Sequence, residues 1–334
     1  MKTQRSILLT AVVIGLVALL LWSRRPQPVS GPSATNEVVS HTKPAKVNLA
    51  PPAFISKPVA STVPQPAAVA APVPLQAAVL LIVDGKAPFA ARLNAAAELG
   101  SLSISPADRD ALYAYLRQPQ PVDRNKDNEQ LKNDVLNSLC QMKPMPAGLG
   151  QLLTDIYSDP AQNAVMRDYA VQYLPDFYTQ LAQDTTMDPA AKEKELAQAR
   201  AALWSVAGEK ATSYAGTALM GLMRLSSKTP AVNPTEVGAA ALQLAQDTGV
   251  NEATQISAFQ VCGQLGVKDA GVALLQAAQS GSTMPLRISA VGALGVLGNR
   301  GAVPLLTQLA AGNEKRLTLP ATRALARINA LAGK

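Results

Sequence analysis

The segment LRISAVGALGVLG at residues 286–298 repeats, 32 residues downstream, the segment TQISAFQVCGQLG at residues 254–266. The two segments share an Ile-Ser-Ala triplet and a closing Leu-Gly, with apolar residues at helical spacing between them. A unit of this length holds two short helices, and neither can bury its apolar side alone. The period therefore predicts an all-α fold in which helix pairs stack side by side as an α-solenoid.

Helix boundary signals recur through the chain from residue 77 to residue 334. Four capping side chains each precede a proline that suits a first helical turn, namely Ser105-Pro106, Asp159-Pro160, Asp188-Pro189 and Asn233-Pro234. Three glycines can end helices in the left-handed conformation, namely Gly100, Gly266 and Gly298. These signals predict a right-handed stack of six to seven helix pairs, with one long helix over residues 189–206.

The string Leu-Arg-x-x-Ala-Val-x-Ala-Leu-Gly-x-Leu-Gly, which begins at Leu286, resembles the second helix of a HEAT-like repeat. Repeats of this type are also seen in phycobilin lyase subunits. A third copy begins at Leu317, and weaker copies include Arg92 and Arg167. The resemblance implies a HEAT-like repeat domain over residues 77–334.

In such repeats, an Arg near the start of the second helix and a polar residue four positions earlier form a hydrogen-bonded ladder between neighbouring units. The resemblance therefore implies four pairs, which are Asn163 with Arg167, Thr283 with Arg287, Asn251 with Gln255, and Asn128 with Lys132. The Asp that usually occupies the earlier position is absent from all four.

The net charge of +7 is concentrated at the N-terminus. Residues 1–74 carry seven basic side chains and one acidic side chain, whereas residues 75–334 carry 23 basic and 22 acidic ones. Nucleic-acid binding depends on a strongly basic surface, since phosphate neutralisation supplies most of the affinity. A nearly neutral repeat domain therefore predicts no nucleic-acid partner.

Residues 7–22 form an apolar run that only Thr10 and Gly15 interrupt, with Arg24 and Arg25 just after it. Its length of about 24 Å as a helix is slightly short of a membrane core, and flanking basic side chains can extend it. We expect residues 1–22 to be an uncleaved transmembrane signal anchor; a cleaved signal peptide is the alternative.

Residues 23–76 are rich in proline and alanine, with eleven prolines up to Pro74. Proline favours extended polyproline II structure, so this region is expected to be a disordered linker. The short N-terminal flank is typical of bacterial signal anchors. The sequence thus predicts a single-pass protein of the bacterial inner membrane with its repeat domain exported.

Side chains for catalysis are sparse. His41, the one histidine, lies in the linker, so no Ser-His-Asp triad, Cys-His dyad or His-based metal cluster is predicted for residues 77–334. Deoxyhypusine hydroxylases, which are HEAT-repeat enzymes, hold iron with paired His-Glu motifs, and no such pair occurs in this sequence. Cys140 and Cys262 are predicted to be buried, unpaired thiols. We therefore predict no catalytic residue, metal site, cofactor or enzymatic activity.

Alignment of the repeat copies identifies a candidate binding surface. The second helices of a solenoid line its concave side. The solvent-facing positions held by Gly292 and Val296 correspond in the other copies to a set of mostly polar residues, namely Gln172, Asp176, Gln260, Gln264, Arg323 and Arg327. Gln172, Gln260, Gln264, Arg323 and Arg327 are the predicted partner-binding residues, and the predicted partner is another protein or an extended peptide.

These observations favour a membrane-tethered, non-enzymatic scaffold or adaptor that uses the concave face of the repeat domain. The alternative is a lyase-like or chaperone-like auxiliary factor that acts on the cofactor or the assembly of a partner protein.

Overall fold

The computed structural model describes residues 75–119 and 126–333. Within those residues the chain forms fourteen α-helices and no β-strand, which confirms the predicted all-α class. The predicted membrane segment at residues 7–22 and the linker up to residue 74 lie outside the described residues. Among the helices of the described part, none is long and apolar enough to cross a membrane.

The helices alternate between two layers along the chain. The odd-numbered helices are α1 (Ala77–Val83), α3 (Pro106–Arg117), α5 (Leu149–Ser158), α7 (Pro189–Ala207), α9 (Pro234–Gln246), α11 (Gly271–Ser280) and α13 (Val303–Ala311). The even-numbered helices are α2 (Phe89–Leu99), α4 (Lys126–Gln141), α6 (Ala164–Gln183), α8 (Tyr214–Ser226), α10 (Glu252–Leu265), α12 (Met284–Leu297) and α14 (Lys315–Ala332). The described chain therefore contains seven helix pairs.

Each even helix packs against the next even helix, from α2 through to α14. The even helices also pack against their odd partners in most pairs, and a continuous core of buried residues runs through the stack. A helix with one apolar side is stable only when that side is covered, so each pair depends on its neighbours. The predicted stacking of helix pairs is thereby confirmed.

The two copies of the repeat form α10 and α12, and both helices are 14 residues long. Asn251 and Thr283 cap them by accepting hydrogen bonds from backbone amides of the first turn. Gly266 and Gly298 end them with φ of 71° and 69°, in the left-handed region that favours glycine. The repeated sequence therefore corresponds to two complete helices that begin and end at equivalent positions.

One predicted helix start and one predicted helix-end conformation are wrong. Asp159 does not begin a helix; it follows the last turn of α5, and α6 begins at Ala164 behind the capping side chain of Asn163. Gly100 ends α2, but its φ of −64° is right-handed. A proline behind an Asp is compatible with a turn as well as with a helix start, which explains the first error.

The even helices of the C-terminal half approach one another backbone to backbone at glycines. A Cβ atom placed on Gly263 of α10 would lie 3.2 Å from the Cα atom of Ala293 in α12. A Cβ atom on Gly295 of α12 would lie 2.7 Å from the Cα atom of Ala324 in α14. Gly216 of α8 meets α10 in the same way. A side chain at Gly216 or Gly295 would therefore force the neighbouring helix to shift, and one at Gly263 would require a smaller adjustment.

Hydrogen bonds between successive even helices accompany these contacts. The hydroxyl of Thr254 in α10 donates to the carbonyl oxygen of Thr212 at 2.7 Å and accepts from the backbone N–H of Gly216 at 2.9 Å. The hydroxyl of Ser289 in α12 donates to the carbonyl oxygen of Ile256 at 3.2 Å. Small hydroxyl side chains can bridge helices this close, so these hydroxyls and the backbone groups that they meet are satisfied.

A polar side chain near the start of an even helix binds the last turn of the odd helix before it. This arrangement occurs in five pairs, where the donors and carbonyl acceptors are Arg92 and Ile82, Lys132 and Leu116, Arg167 and Tyr157, Gln255 and Ala245, and Arg287 and Ala278. The last carbonyls of a helix lack intrahelical donors and carry partial negative charge. The five side chains therefore close each pair internally.

The predicted ladder between neighbouring units is thus wrong in its main partners. Asn163, Asn251 and Thr283 use their side chains as N-caps instead of binding the donor four residues later. Links between units exist with other partners. Asn128, one of the predicted polar positions, accepts a hydrogen bond from Arg92 of the preceding unit at 3.4 Å. The Asn163 amide donates to a carboxylate oxygen of Glu129 at 2.9 Å. The side-chain oxygens bind unpaired backbone amides of the first helical turn in preference to the side chain four residues later, because those amides are closer.

The odd helices are spaced more loosely than the even ones. Between α5 and α7 there is a shallow groove of about 690 Å³, with Phe177 at its base. In a curved stack, the layer with the closer helices lies on the inner side. The even layer is therefore the layer expected to line the concave face.

The glycine contacts give a test of the stacking interaction. Gly295→Ala adds a methyl group where the backbone of α14 leaves no room, and we expect the free energy of unfolding to fall by about 1–3 kcal/mol. The matched control is Gly292→Ala in the same helix, where a Cβ atom meets nothing within 4 Å. This control is expected to be neutral or to stabilise by up to about 1 kcal/mol, since alanine favours helix. Urea unfolding of both variants is the measurement, and equal effects would contradict the close-packing account.

Candidate functional site

The five predicted partner-binding residues lie on the solvent-facing side of even helices. Gln172, Gln264, Arg323 and Arg327 are exposed, and Gln260 is half-buried. In α10, Gln260 and Gln264 flank the glycine that touches the next helix, and Gly292 and Val296 do the same in α12. The register predicted by alignment is therefore present in these helices. We call this side of the even helices the even-helix surface.

The structure brings four of the five residues onto a run of three neighbouring helices. Gln260 and Gln264 lie on α10, and Arg323 and Arg327 lie on α14, with α12 between them. Gln172 lies on α6 and is separated from this group by α8. Gly292 stands on the intervening helix without a side chain and with open space around it. Between the glutamines and the arginines, the surface therefore has an open position without a side chain.

Sequence alignment missed the same face of α4 and α8. In α4 the exposed amides of Asn137 and Gln141 occupy the surface, joined by a hydrogen bond of 2.8 Å. In α8 the surface carries half-buried Met220 and exposed Arg224, and Arg224 pairs with Asp176 of α6 at 3.7 Å. The start of α8 lacks the Arg that marks the other copies, so the repeat pattern is weak there. The sequence signal that could have identified this face is the four-residue spacing of Met220 and Arg224, which is the same as that of Gly292 and Val296.

Half-buried tyrosines lie along α6 on this surface. The hydroxyl of Tyr173 donates to the side-chain oxygen of Asn133 in α4 at 3.0 Å. Burial raises the pKa of Tyr173, and burial together with the nearby Glu129 carboxylate raises the pKa of Tyr169. Both side chains therefore stay neutral at physiological pH and present an apolar ring with a polar tip. Such side chains are frequent anchors in protein interfaces.

Asp168 of α6 is the most unusual carboxylate of this region. It lies against α8, where the hydroxyl of Thr217 binds it, while its other oxygen, Oδ1, has no partner among the described residues. Desolvation raises the pKa of Asp168, and the Thr217 hydrogen bond only partly offsets that effect. A carboxylate held in this way destabilises the fold when it is ionised.

A separate buried cluster joins the first two helix pairs. Lys132 is fully buried, its ammonium group lies 5.4 Å from the centre of the Tyr115 ring, and burial lowers its pKa to about 8. Arg92 approaches the same ring at 5.5 Å and donates to the Tyr115 hydroxyl at 3.2 Å. Both cations also bind carbonyls at the ends of odd helices. Because the Lys132 side chain has no exposed surface, the cluster holds helices together and offers no face to a ligand.

Titratable groups elsewhere are dispersed. Residues 75–119 and 126–333 contain no group of three or more His, Cys, Asp or Glu side chains placed to hold a metal ion. Cys140 and Cys262 are buried free thiols, and burial raises the pKa of each to about 12. His41 lies outside the described residues.

No family model matches the chain, and no curated protein matches it. The structure of human deoxyhypusine hydroxylase in complex with glycerol is similar over 76% of this chain and 95% of that chain, at 17% sequence identity and a TM-score of 0.31.

That structural neighbour is an enzyme, which contradicts two predictions made from the sequence. These are the prediction of a non-enzymatic scaffold or adaptor, and the prediction that the chain is not an enzyme, which was inferred from the missing histidines. The alternative of a lyase-like or chaperone-like factor gains no support from the same match. At this TM-score and identity, the likeness assigns no activity, substrate or metal to the chain.

The position of Asp168 gives a pH-dependent prediction. Because its pKa is higher in the folded state, its ionisation costs stability; the cost is absent below the unfolded pKa and complete above the folded one. Asp168→Asn should therefore stabilise the domain at pH 7, by about 1 kcal/mol, with a gain that shrinks as the pH falls towards 4. The measurement is urea unfolding across that pH range.

A matched control for this prediction is Asp176→Asn on the same helix, which removes only an exposed ion pair and should change stability by less than about 1 kcal/mol. A stabilisation by Asp168→Asn that is independent of pH would show that the carboxylate charge is not its cause.

Proposed function

We propose that the even-helix surface binds an extended segment of another protein. The observation that carries this proposal is the recurrence of amide side chains on three of the even helices, α4, α6 and α10, at Asn137, Gln141, Gln172, Gln260 and Gln264. Each amide offers one acceptor oxygen and two donor hydrogens, which match the alternating C=O and N–H groups of an extended backbone. A surface of this kind binds the backbone of an extended segment whatever its sequence. Specificity for particular side chains of the segment then comes from the surface residues between the amides.

The open position at Gly292 supports the same proposal. A ligand side chain can enter the space above α12, between the amides of α10 and the guanidinium groups of α14. The half-buried Met220 and Tyr169 supply apolar area further along the surface. Interfaces gain most of their affinity from a few anchor side chains, and polar groups around them fix the register.

The expected membrane attachment gives this surface a location. We propose that residues 7–22 anchor the chain in the bacterial inner membrane and that residues 23–76 tether an exported repeat domain. A linker of about 50 residues spans roughly 40 Å as a coil and up to about 160 Å if fully extended. The bound segment would then belong to a protein within that distance of the membrane.

The proposal is tested with a photo-crosslinking residue placed at position 292 of the full chain in its native cells. Position 272 in α11 is the control, because Val272 is 78% exposed but lies on an odd helix. We expect a discrete adduct with another protein from position 292 only, and we expect Gln260→Ala with Gln264→Ala to weaken it. The same adducts from both positions, or none from position 292, would contradict the proposal.

A further inference from the structure

The last even helix differs in charge from every other part of the even-helix surface. Between Lys315 and Ala332, α14 contains four basic side chains and no acidic one. Arg316, Arg323 and Arg327 are separated by seven and four residues, so they fall within about 40° of one another around the helix. The stripe is about 16 Å long at a rise of about 1.5 Å per residue.

These three arginines are exposed, and none forms an ion pair within the described residues. By contrast, Arg109, Arg117, Arg200 and Arg224 each pair with a carboxylate, although exposed Arg300, outside the even helices, forms no ion pair within the described residues either. The Glu314 carboxylate caps the start of α14 and accepts a hydrogen bond from the backbone N–H of Arg316 at 3.4 Å, but it forms no ion pair with the three guanidinium groups. Like charges on one side of a helix repel one another, so an anionic partner at this position gains favourable electrostatic energy.

We infer that α14 binds an acidic stretch of the extended segment, with carboxylates received by Arg316, Arg323 and Arg327. This inference rests on the proposed function and adds the chemical class of the ligand at one end of the surface. A guanidinium group binds a carboxylate through two parallel hydrogen bonds, which gives direction as well as affinity. Leu319 and Leu331 are exposed on either side of the stripe and can pack against apolar side chains between the acidic ones.

Charge further along the surface sets the direction of the segment. On α4, exposed Asp127 and half-buried Asp134 make the opposite end acidic. On α6, Asp176 is balanced by Arg224. The acidic residues of the segment therefore lie over α14, and its neutral or basic residues lie towards α4.

The same features disfavour two other polyanionic partners. A helix that lies on a membrane needs a broad apolar face, but in α14 that face is Leu317, Ala321, Ala324 and Ile328, which are buried in the stack. A nucleic acid needs a continuous basic path, and α4 presents carboxylates to any polyanion that follows the surface. A short acidic peptide segment fits both the positive charge of the stripe and its limited length.

The test uses the full chain and two fluorescein-labelled peptides of about twelve residues, which span about 40 Å when extended. One peptide carries Glu at every third position among Ala and Ser, and the other carries Gln at those positions. Fluorescence anisotropy should show the Glu peptide binding about tenfold more tightly than the Gln peptide in low salt, with the difference reduced as salt is added.

Arg323→Glu with Arg327→Glu should weaken binding of the Glu peptide by about tenfold or more. The matched control is Lys86→Glu with Lys194→Glu, which changes the net charge by the same amount at exposed positions away from α14. Equal loss in the two double variants would overturn the inference, because net charge alone would then account for binding. Circular dichroism and thermal unfolding confirm that both variants are folded.

Other results separate the inference from the proposed function. Equal binding of the Glu and Gln peptides, lost only with Gln260→Ala and Gln264→Ala, overturns the acidic preference but supports the surface. Absence of binding by either peptide also overturns the inference, while the adduct at position 292 still decides the function. Tighter arginine-dependent binding to phosphatidylglycerol vesicles, or to single-stranded DNA, would show that the stripe takes phosphates.

Discussion

The close approach of successive even helices is the constraint on which the rest of this structure depends. Gly216, Gly263 and Gly295 allow the backbone of one even helix to touch the next. At this distance a hydroxyl such as that of Thr254 bridges two helices directly. The spacing also fixes which face of each even helix points away from the stack. The even-helix surface is therefore a consequence of the packing, with its residues held in one register by the glycines.

A second interaction sets the geometry inside each pair. Arg92, Arg167 and Arg287 bind carbonyl oxygens in the last turn of the preceding odd helix. These oxygens have no donor within their own helix, and a cationic donor satisfies both the missing hydrogen bond and the partial negative charge. The recurrent Arg of the repeat pattern thus binds within a pair. The contacts between pairs are made by glycines, small hydroxyls and apolar side chains, together with polar links such as Asn163 with Glu129 and Arg92 with Asn128.

Much of the fold could be predicted from the sequence because its strongest signals are local. The echo between residues 254–266 and 286–298 gave both helices with their caps, since a capping side chain and a left-handed glycine act within a few residues. The partners of Arg167 and Arg287 could not be predicted, because they depend on how two helices meet. The surface residues of α4 and α8 were missed for a related reason. These helices occupy equivalent positions in the stack, but their sequences resemble the repeat pattern only weakly.

The C-terminal half of the binding surface was predicted, because the repeat copies align well there. Its charge could be judged only from the structure, which shows which side chains are exposed and which form ion pairs. Arg323 and Arg327 are exposed in the sequence pattern and in the structure, but only the structure shows that no carboxylate among the described residues neutralises them. Burial likewise distinguishes Asp168, which is held against α8, from Asp176, which faces solvent beside Arg224.

The central claim is that the even layer, and not the odd layer, meets the partner. Hydroxyl-radical footprinting of the full chain in its native cells, compared with the purified chain, measures this directly through the oxidation of individual side chains. The account predicts reduced oxidation of Met220 and Tyr169 in cells, with Tyr157 in the groove between α5 and α7 unchanged. Reduced oxidation of Tyr157 with Met220 and Tyr169 unchanged would contradict it.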